Sequence, residues 1–240
     1  MKRAAIGAVL VCALGLWASP AVAASITDSD YLKAATALAN SDCESAIGPL
    51  TYVIMGHRDI VGPIPPLWGI LAIRAACYNE LKRPDEALLD LDVAFQEFDK
   101  VSVRKRDAFD RVGDGFLWSV RAEALRRLGR YEEALSDVDR ALRAQPNWPP
   151  YQAVRVRILH SQGKTTEAIS TLDRELNLRP DYFGYYQTRA DIYEANGDME
   201  RAQTDYAEAC RFLTIGRYRL KNVVREKHPA CKKAAAATSP

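Results

Sequence analysis

Residues 115–148 read GFLWSVRAEALRRLGRYEEALSDVDRALRAQPNW. Apolar side chains recur three and four apart on either side of Leu128-Gly129-Arg130, which predicts two amphipathic α-helices joined by a tight turn. Gly129 ends the first helix, because a left-handed residue stops it there. Ala134 sits early in the second helix, where only a small side chain lets the paired helix approach closely. Val138 follows one turn later on the same face. Pro146 then prevents the second helix from continuing.

This pattern repeats. Gly129, Gly163 and Gly197 are spaced by 34 residues, as are Ala134, Ala168 and Ala202, and Pro146 and Pro180 keep the same step. Val138, Leu172 and Tyr206 each stand one turn beyond their alanine, and Thr165 and Asp198 are expected to cap the helices that follow the glycines. Trp118, Ala122, Leu125, Gly129, Tyr131, Ala134, Val138, Ala141 and Pro146 together resemble the tetratricopeptide repeat family. The unit at 149–182 departs from the pattern with Val156 and Glu175 where small residues are usual. The unit at 183–216 keeps Tyr186, Ala190, Tyr193, Gly197, Ala202, Tyr206 and Ala209, with Thr214 in place of the proline. An earlier unit at 67–101 shows Leu71, Ala75, Tyr78, Ala87, Leu91 and Ala94 around the turn Leu81-Lys82-Arg83-Pro84.

The step from Ala87 to Ala134 is 47, which implies an insertion of 13 residues. It is placed at 102–114, around the stretch Val101–Gly113, as a longer helix or an ordered loop. Residues 24–66 hold a degenerate first pair, with Tyr31, Ala34, Ala37, Cys43, Ala46 and Leu50, and a link rich in proline from Gly56 to Pro66. The resemblance implies an all-α fold: an α-solenoid of about five helix-turn-helix pairs in a right-handed superhelix. Because a stack needs a polar outer end, residues 217–231 are expected to form a capping helix, with 232–240 a disordered tail.

The chain has 240 residues, with 33 Lys+Arg against 31 Asp+Glu, so composition gives no reason to expect nucleic acid or an anionic membrane as partner. With 13 Gly and 12 Pro, collagen-like and low-complexity chains are excluded. Lys2 and Arg3, an uncharged apolar run from Ala4 to Trp17, and Ala21-Val22-Ala23 have the form of a cleaved signal peptide over residues 1–23. The run is too short to span a membrane, which needs about 20 apolar residues. Cleavage takes two basic residues from the 33 and leaves 31 against 31. A periplasmic or secreted location follows, with no membrane span. It also leaves Cys43, Cys77, Cys210 and Cys231, an even set that suggests two disulfides in an oxidising compartment. Cys43–Cys77 and Cys210–Cys231 are favoured because each pair is near in sequence. A zinc site from Cys210, His228 and Cys231 lacks a fourth ligand.

Tetratricopeptide arrays bind peptides or extended segments on a concave surface lined by the first helix of each pair. Carried onto this chain, the first-helix residues off the packing stripe are Tyr31, Asn79, Glu80, Ser119, Glu123, Arg126, Arg127, Arg157, His160, Gln187, Asp191 and Glu194. The middle of this set is basic and suits a carboxylate or an acidic segment, while Asp191 and Glu194 make its far end acidic. Pairing of Glu123 with Arg127 is the alternative use of those charges. Ala72, Ala76 and Val120 stand where a clamp for chaperone C-termini would need polar side chains. No H-E-x-x-H, G-x-S-x-G or P-loop is present, and Gly113-Asp114-Gly115 lacks the rest of a dinucleotide fingerprint and punctuates the insertion. The expectation is a non-catalytic adaptor that needs no cofactor or metal. Its partner is a protein or peptide, and a homo-oligomer is the other use of such a stack.

Overall fold

The computed structural model describes residues 29–56, 66–100, 108–215 and 228–236. The signal-like segment, the link between Gly56 and Pro66, and residues 217–227 of the expected capping helix lie outside the described residues. Among the described residues there are helices and no strand. Helices α1 (Ser29–Ala39), α2 (Cys43–Met55), α3 (Leu67–Glu80), α4 (Pro84–Asp99), α5 (Ala108–Arg127) and α6 (Tyr131–Ala144) belong to one compact unit. Helices α7 (Pro149–Ser161), α8 (Thr165–Leu178), α9 (Phe183–Ala195), α10 (Met199–Ile215) and α11 (Pro229–Ala236) belong to a second. The fold is an all-α helical repeat, with α1–α2, α3–α4, α5–α6, α7–α8 and α9–α10 packed as antiparallel pairs.

One turn builds all five pairs. The backbone N–H groups of Asp42, Arg83, Arg130, Lys164 and Asp198 each donate to the carbonyl five residues back, at 2.9 to 3.0 Å. This is the closing bond of a Schellman motif, and it requires a left-handed residue just before the donor. Gly129, Gly163 and Gly197 supply it with φ of 76°, 82° and 82°. In the first two pairs Ser41 and Lys82 take the same conformation, at φ 55° and 59°, without the freedom glycine gives. Asp198 caps α10 by accepting from the Arg201 N–H at 3.1 Å. Thr165, by contrast, is the first residue of α8, and its hydroxyl pairs with the His160 ring instead of capping.

The second helix of each pair buries its alanine completely: Ala46, Ala87, Ala134, Ala168 and Ala202. Leu50, Leu91, Val138, Leu172 and Tyr206 are buried one turn later. Glu175 occupies the place of Ala141 in the α7–α8 pair, and its buried carboxylate accepts from Arg179 at 3.0 Å and from the Tyr185 hydroxyl at 3.1 Å. Burial, with the Glu175 charge behind it, pushes the Tyr185 hydroxyl well above its usual pKa. A buried charge is tolerated when its acceptor positions are filled.

Three expectations need correction. Residues Ala108–Gly113 form the first turns of α5, the longer-helix alternative for this part of the insertion, but the glycine expected to punctuate it does not do so. Gly113 is buried there, and a Cβ on it would sit 2.3 Å from the Trp68 ring, so it is a packing residue and not a break. Residues 232–236, expected to be a loose tail, lie in α11 because Lys233 and the carbonyls around it are bound to α9 and α10. Cys210 and Cys231 form a disulfide, but Cys43 and Cys77 are free buried thiols in a hydrogen bond with each other. That bond and burial raise the Cys77 thiol well above its usual pKa.

Candidate functional site

In the first unit the expected binding residues lie on α1, α3 and α5, and they are less open than their sequence positions suggest: Tyr31 of α1 is itself buried. Asn79 is fully buried and its Nδ2 donates to the Val120 carbonyl at 2.9 Å, tying α3 to α5. Ser119 is buried, with its hydroxyl on the Phe116 carbonyl. Glu123 is also buried, 2 % exposed, yet it organises the surface above it. Arg126 grips both of its oxygens, Nη2 at 2.6 Å and Nε at 3.1 Å, and Arg127 Nε approaches at 3.2 Å. Both guanidinium groups are half-buried. Burial pulls the Arg126 pKa down, but the Glu123 charge outweighs it and holds the group above its ordinary value. The result is two fixed cations on one carboxylate.

In the second unit α7 and α9 carry the rest. Arg157 and His160 are half-buried on α7, with His160 Nδ1 3.0 Å from the Thr165 hydroxyl. Gln187 is buried on α9 and its Nε2 finds no acceptor among the described residues. Asp191 and Glu194 are occupied by the chain itself. Lys233 of α11 donates to Asp191 at 3.0 Å and to Glu194 at 2.6 Å, and the Tyr206 hydroxyl lies 2.6 Å from Asp191 and 2.8 Å from Glu194. Burial and the two carboxylates push Tyr206 far above the usual phenol range. Burial lowers the Lys233 pKa, but the same carboxylates reverse that and hold it charged. The acidic end of the expected groove is therefore covered by α11.

A second pattern was missed in the sequence. Arg74–Asp90, Arg121–Asp137 and Arg189–Asp205 are each 16 residues apart, first helix to second, and each pair makes two bonds of 2.6 to 2.9 Å. Arg121 also lies over the Trp118 and Phe95 rings, and Arg140 covers Trp118 at 4.5 Å. In the α7–α8 pair Arg155 stands in register with Arg121, but Thr171 takes the place of Asp137. Arg189 Nη1 instead reaches Asp173 of α8 at 2.5 Å. The signal was an arginine followed by an aspartate sixteen residues on, at fixed places in the repeat.

Among the described residues no cluster of three or more His, Cys, Asp or Glu is placed to hold a metal, and no helix is long and apolar enough to cross a membrane. The tetratricopeptide repeat family matches the chain twice, at residues 115–148 and 183–212. This is a tetratricopeptide repeat protein. Among solved structures, its fold is shared with TTC0263, a thermophilic tetratricopeptide repeat protein of Thermus thermophilus. The two are 18 % identical, with a TM-score of 0.54 over 74 % of this chain and 87 % of that one. MamA is also similar, at 15 % identity and a TM-score of 0.43 over 75 % of this chain and 93 % of MamA. MamA from Desulfovibrio magneticus RS-1 stands at 12 % and 0.43, covering 78 % of this chain and 97 % of its own. No curated protein matches the sequence. Tetratricopeptide repeats make scaffolds for protein–protein interaction, and the fold is typically non-catalytic.

Proposed function

We propose that this tetratricopeptide repeat protein is an exported, non-catalytic adaptor that holds an acidic segment of a partner protein on the first helices of its repeats. The observation that carries this reading is the Glu123, Arg126 and Arg127 group on α5. Two guanidinium groups are fixed on one buried carboxylate, on side chains that have already lost their rotamer freedom. Such a surface meets a carboxylate with charge-assisted bonds and little further ordering cost. Export is supported by the form of residues 1–23 and by the Cys210–Cys231 disulfide, which suits an oxidising compartment.

The test pairs capture with location. In the cell, a tagged chain cleaved after Ala23 and recovered from the periplasmic or secreted fraction is the expected result. Crosslinking there captures a partner with the native chain, and Arg126→Glu with Arg127→Glu abolishes capture while helical circular dichroism is unchanged. Undiminished capture by the reversed pair overturns the basic-surface reading.

A further inference from the structure

Helix α11 has only eight residues, PACKKAAA from Pro229 to Ala236. A helix that short is unstable alone in water. Its order therefore comes from the face of α9 and α10 on which it lies, and that face reads three of its properties. Ala230 is fully buried against Ala190, Tyr193, Ala202, Tyr206 and Ala209, so only a small side chain is admitted. Lys233 is taken by Asp191, Glu194 and the Tyr206 hydroxyl. Gln203 Nε2 donates to the carbonyls of Lys233 and Ala234 at 2.9 and 2.7 Å. These carbonyls belong to the last turn, where a helix has no intrahelical donors left to offer them.

Closing the end of a repeat stack requires only a polar outer surface. It does not require two carboxylates and a phenol around one ammonium, nor an amide aimed at helix-terminal carbonyls. We propose that this face is a receptor site for the C-terminal turn of a partner protein's helix, and that α11 is its tethered resident. The partner helix carries small residues on the docking side and a lysine or arginine directed at Asp191 and Glu194. The proposal does not depend on the Arg126 and Arg127 surface. Connection through the chain and the Cys210–Cys231 bond keeps α11 at an effective concentration on the order of millimolar, which an untethered helix must exceed. The disulfide thus sets how readily the site exchanges its occupant.

The probe is a fluorescent peptide of residues 228–240 carrying Cys231→Ser, added to the full chain bearing Cys231→Ser and Lys233→Glu. Binding is expected to this host, at least tenfold weaker binding when Asp191→Asn and Glu194→Gln are added, and none to the oxidised native chain. Failure to bind, or equal binding to all three, overturns the proposal. A second measurement covers a host that unfolds: the full chain with Cys231→Ser alone retains Cys210. The native-sequence peptide, activated at Cys231 as a thionitrobenzoate mixed disulfide, is mixed with it. Attack by the Cys210 thiolate forms the new S–S bond and releases thionitrobenzoate. Trapping is expected to slow at least tenfold when the peptide carries Lys233→Glu. Equal rates mean that the ammonium is not read, and the proposal fails.

Discussion

Acid should loosen α11 through His228, and the size of the effect follows from one side chain. His228 is 3 % exposed, packs edge-on to Phe183, and accepts the Ala230 N–H on Nδ1 at 3.3 Å. The ring is therefore neutral, with its proton on Nε2, and it caps the start of the helix. Burial lowers its pKa from 6.5 to about 4. The depressed value means that the unfolded chain takes up the proton first as pH falls. The site contributes its full stability above pH 6.5, loses it progressively down to about pH 4, and changes no further below that. At about 1.4 kcal/mol per pKa unit the whole effect is about 3 kcal/mol, of which about 2 kcal/mol falls between pH 7 and pH 5. His228→Asn keeps an acceptor for the Ala230 N–H and cannot titrate in this range. Urea unfolding followed by circular dichroism, at pH 7 and pH 5, should show the native chain losing about 2 kcal/mol more than the variant. Equal losses for both would refute the argument, because carboxylates elsewhere titrate in each.

Other substitutions probe the pairs. Gly113→Ala drives a methyl group into the Trp68 ring, which is held edge-on by Phe98, and should cost about 1–3 kcal/mol by urea unfolding; a neutral result contradicts the close approach. Lys82→Gly relieves the left-handed strain at φ 59° and should raise stability by about 0.5–1 kcal/mol even after glycine's larger unfolded entropy; a loss counts against the turn assignment. Asp137→Asn leaves Arg121 without its carboxylate and should cost about 2–3 kcal/mol, whereas Arg121→Met with Asp137→Leu should cost less; the reverse order would sink the reading. The chain cleaved after Ala23, which lacks Cys12, should titrate two thiols, Cys43 and Cys77, when unfolded without reductant, and a count of none would show that they pair after all.

The five pairs could be read from the sequence because their packing rule is local. An alanine facing its partner helix, a large apolar residue one turn on, and a residue that ends the first helix recur at a fixed step. The turn was harder to read where Ser41 and Lys82 replace glycine, since the same backbone is then held by its hydrogen bonds in spite of side chains that disfavour it. Position along a helix did not reveal how closed the candidate surface is. Asn79, Glu123 and Gln187 share the register of exposed residues, yet each is buried. The cover on Asp191 and Glu194 was invisible for a different reason. Lys233 lies 39 and 42 residues further on, in an alanine-rich stretch that has the composition of a disordered tail. Only the docking of α11 gives that stretch its structure.

The missing carboxylate at Thr171 has a consequence for how the protein opens. Helices α7 and α8 pack on one another less extensively than do α3 with α4, α5 with α6, or α9 with α10, the three pairs bridged by an arginine and an aspartate. In a chain of hairpins, local stability is a sum of each hairpin's own worth and its neighbour interfaces. The α7–α8 hairpin is then the low point of that profile. Its amide protons should exchange with solvent sooner than those of α5 and α6, and limited proteolysis should make its first cut there while the bridged hairpins stay intact.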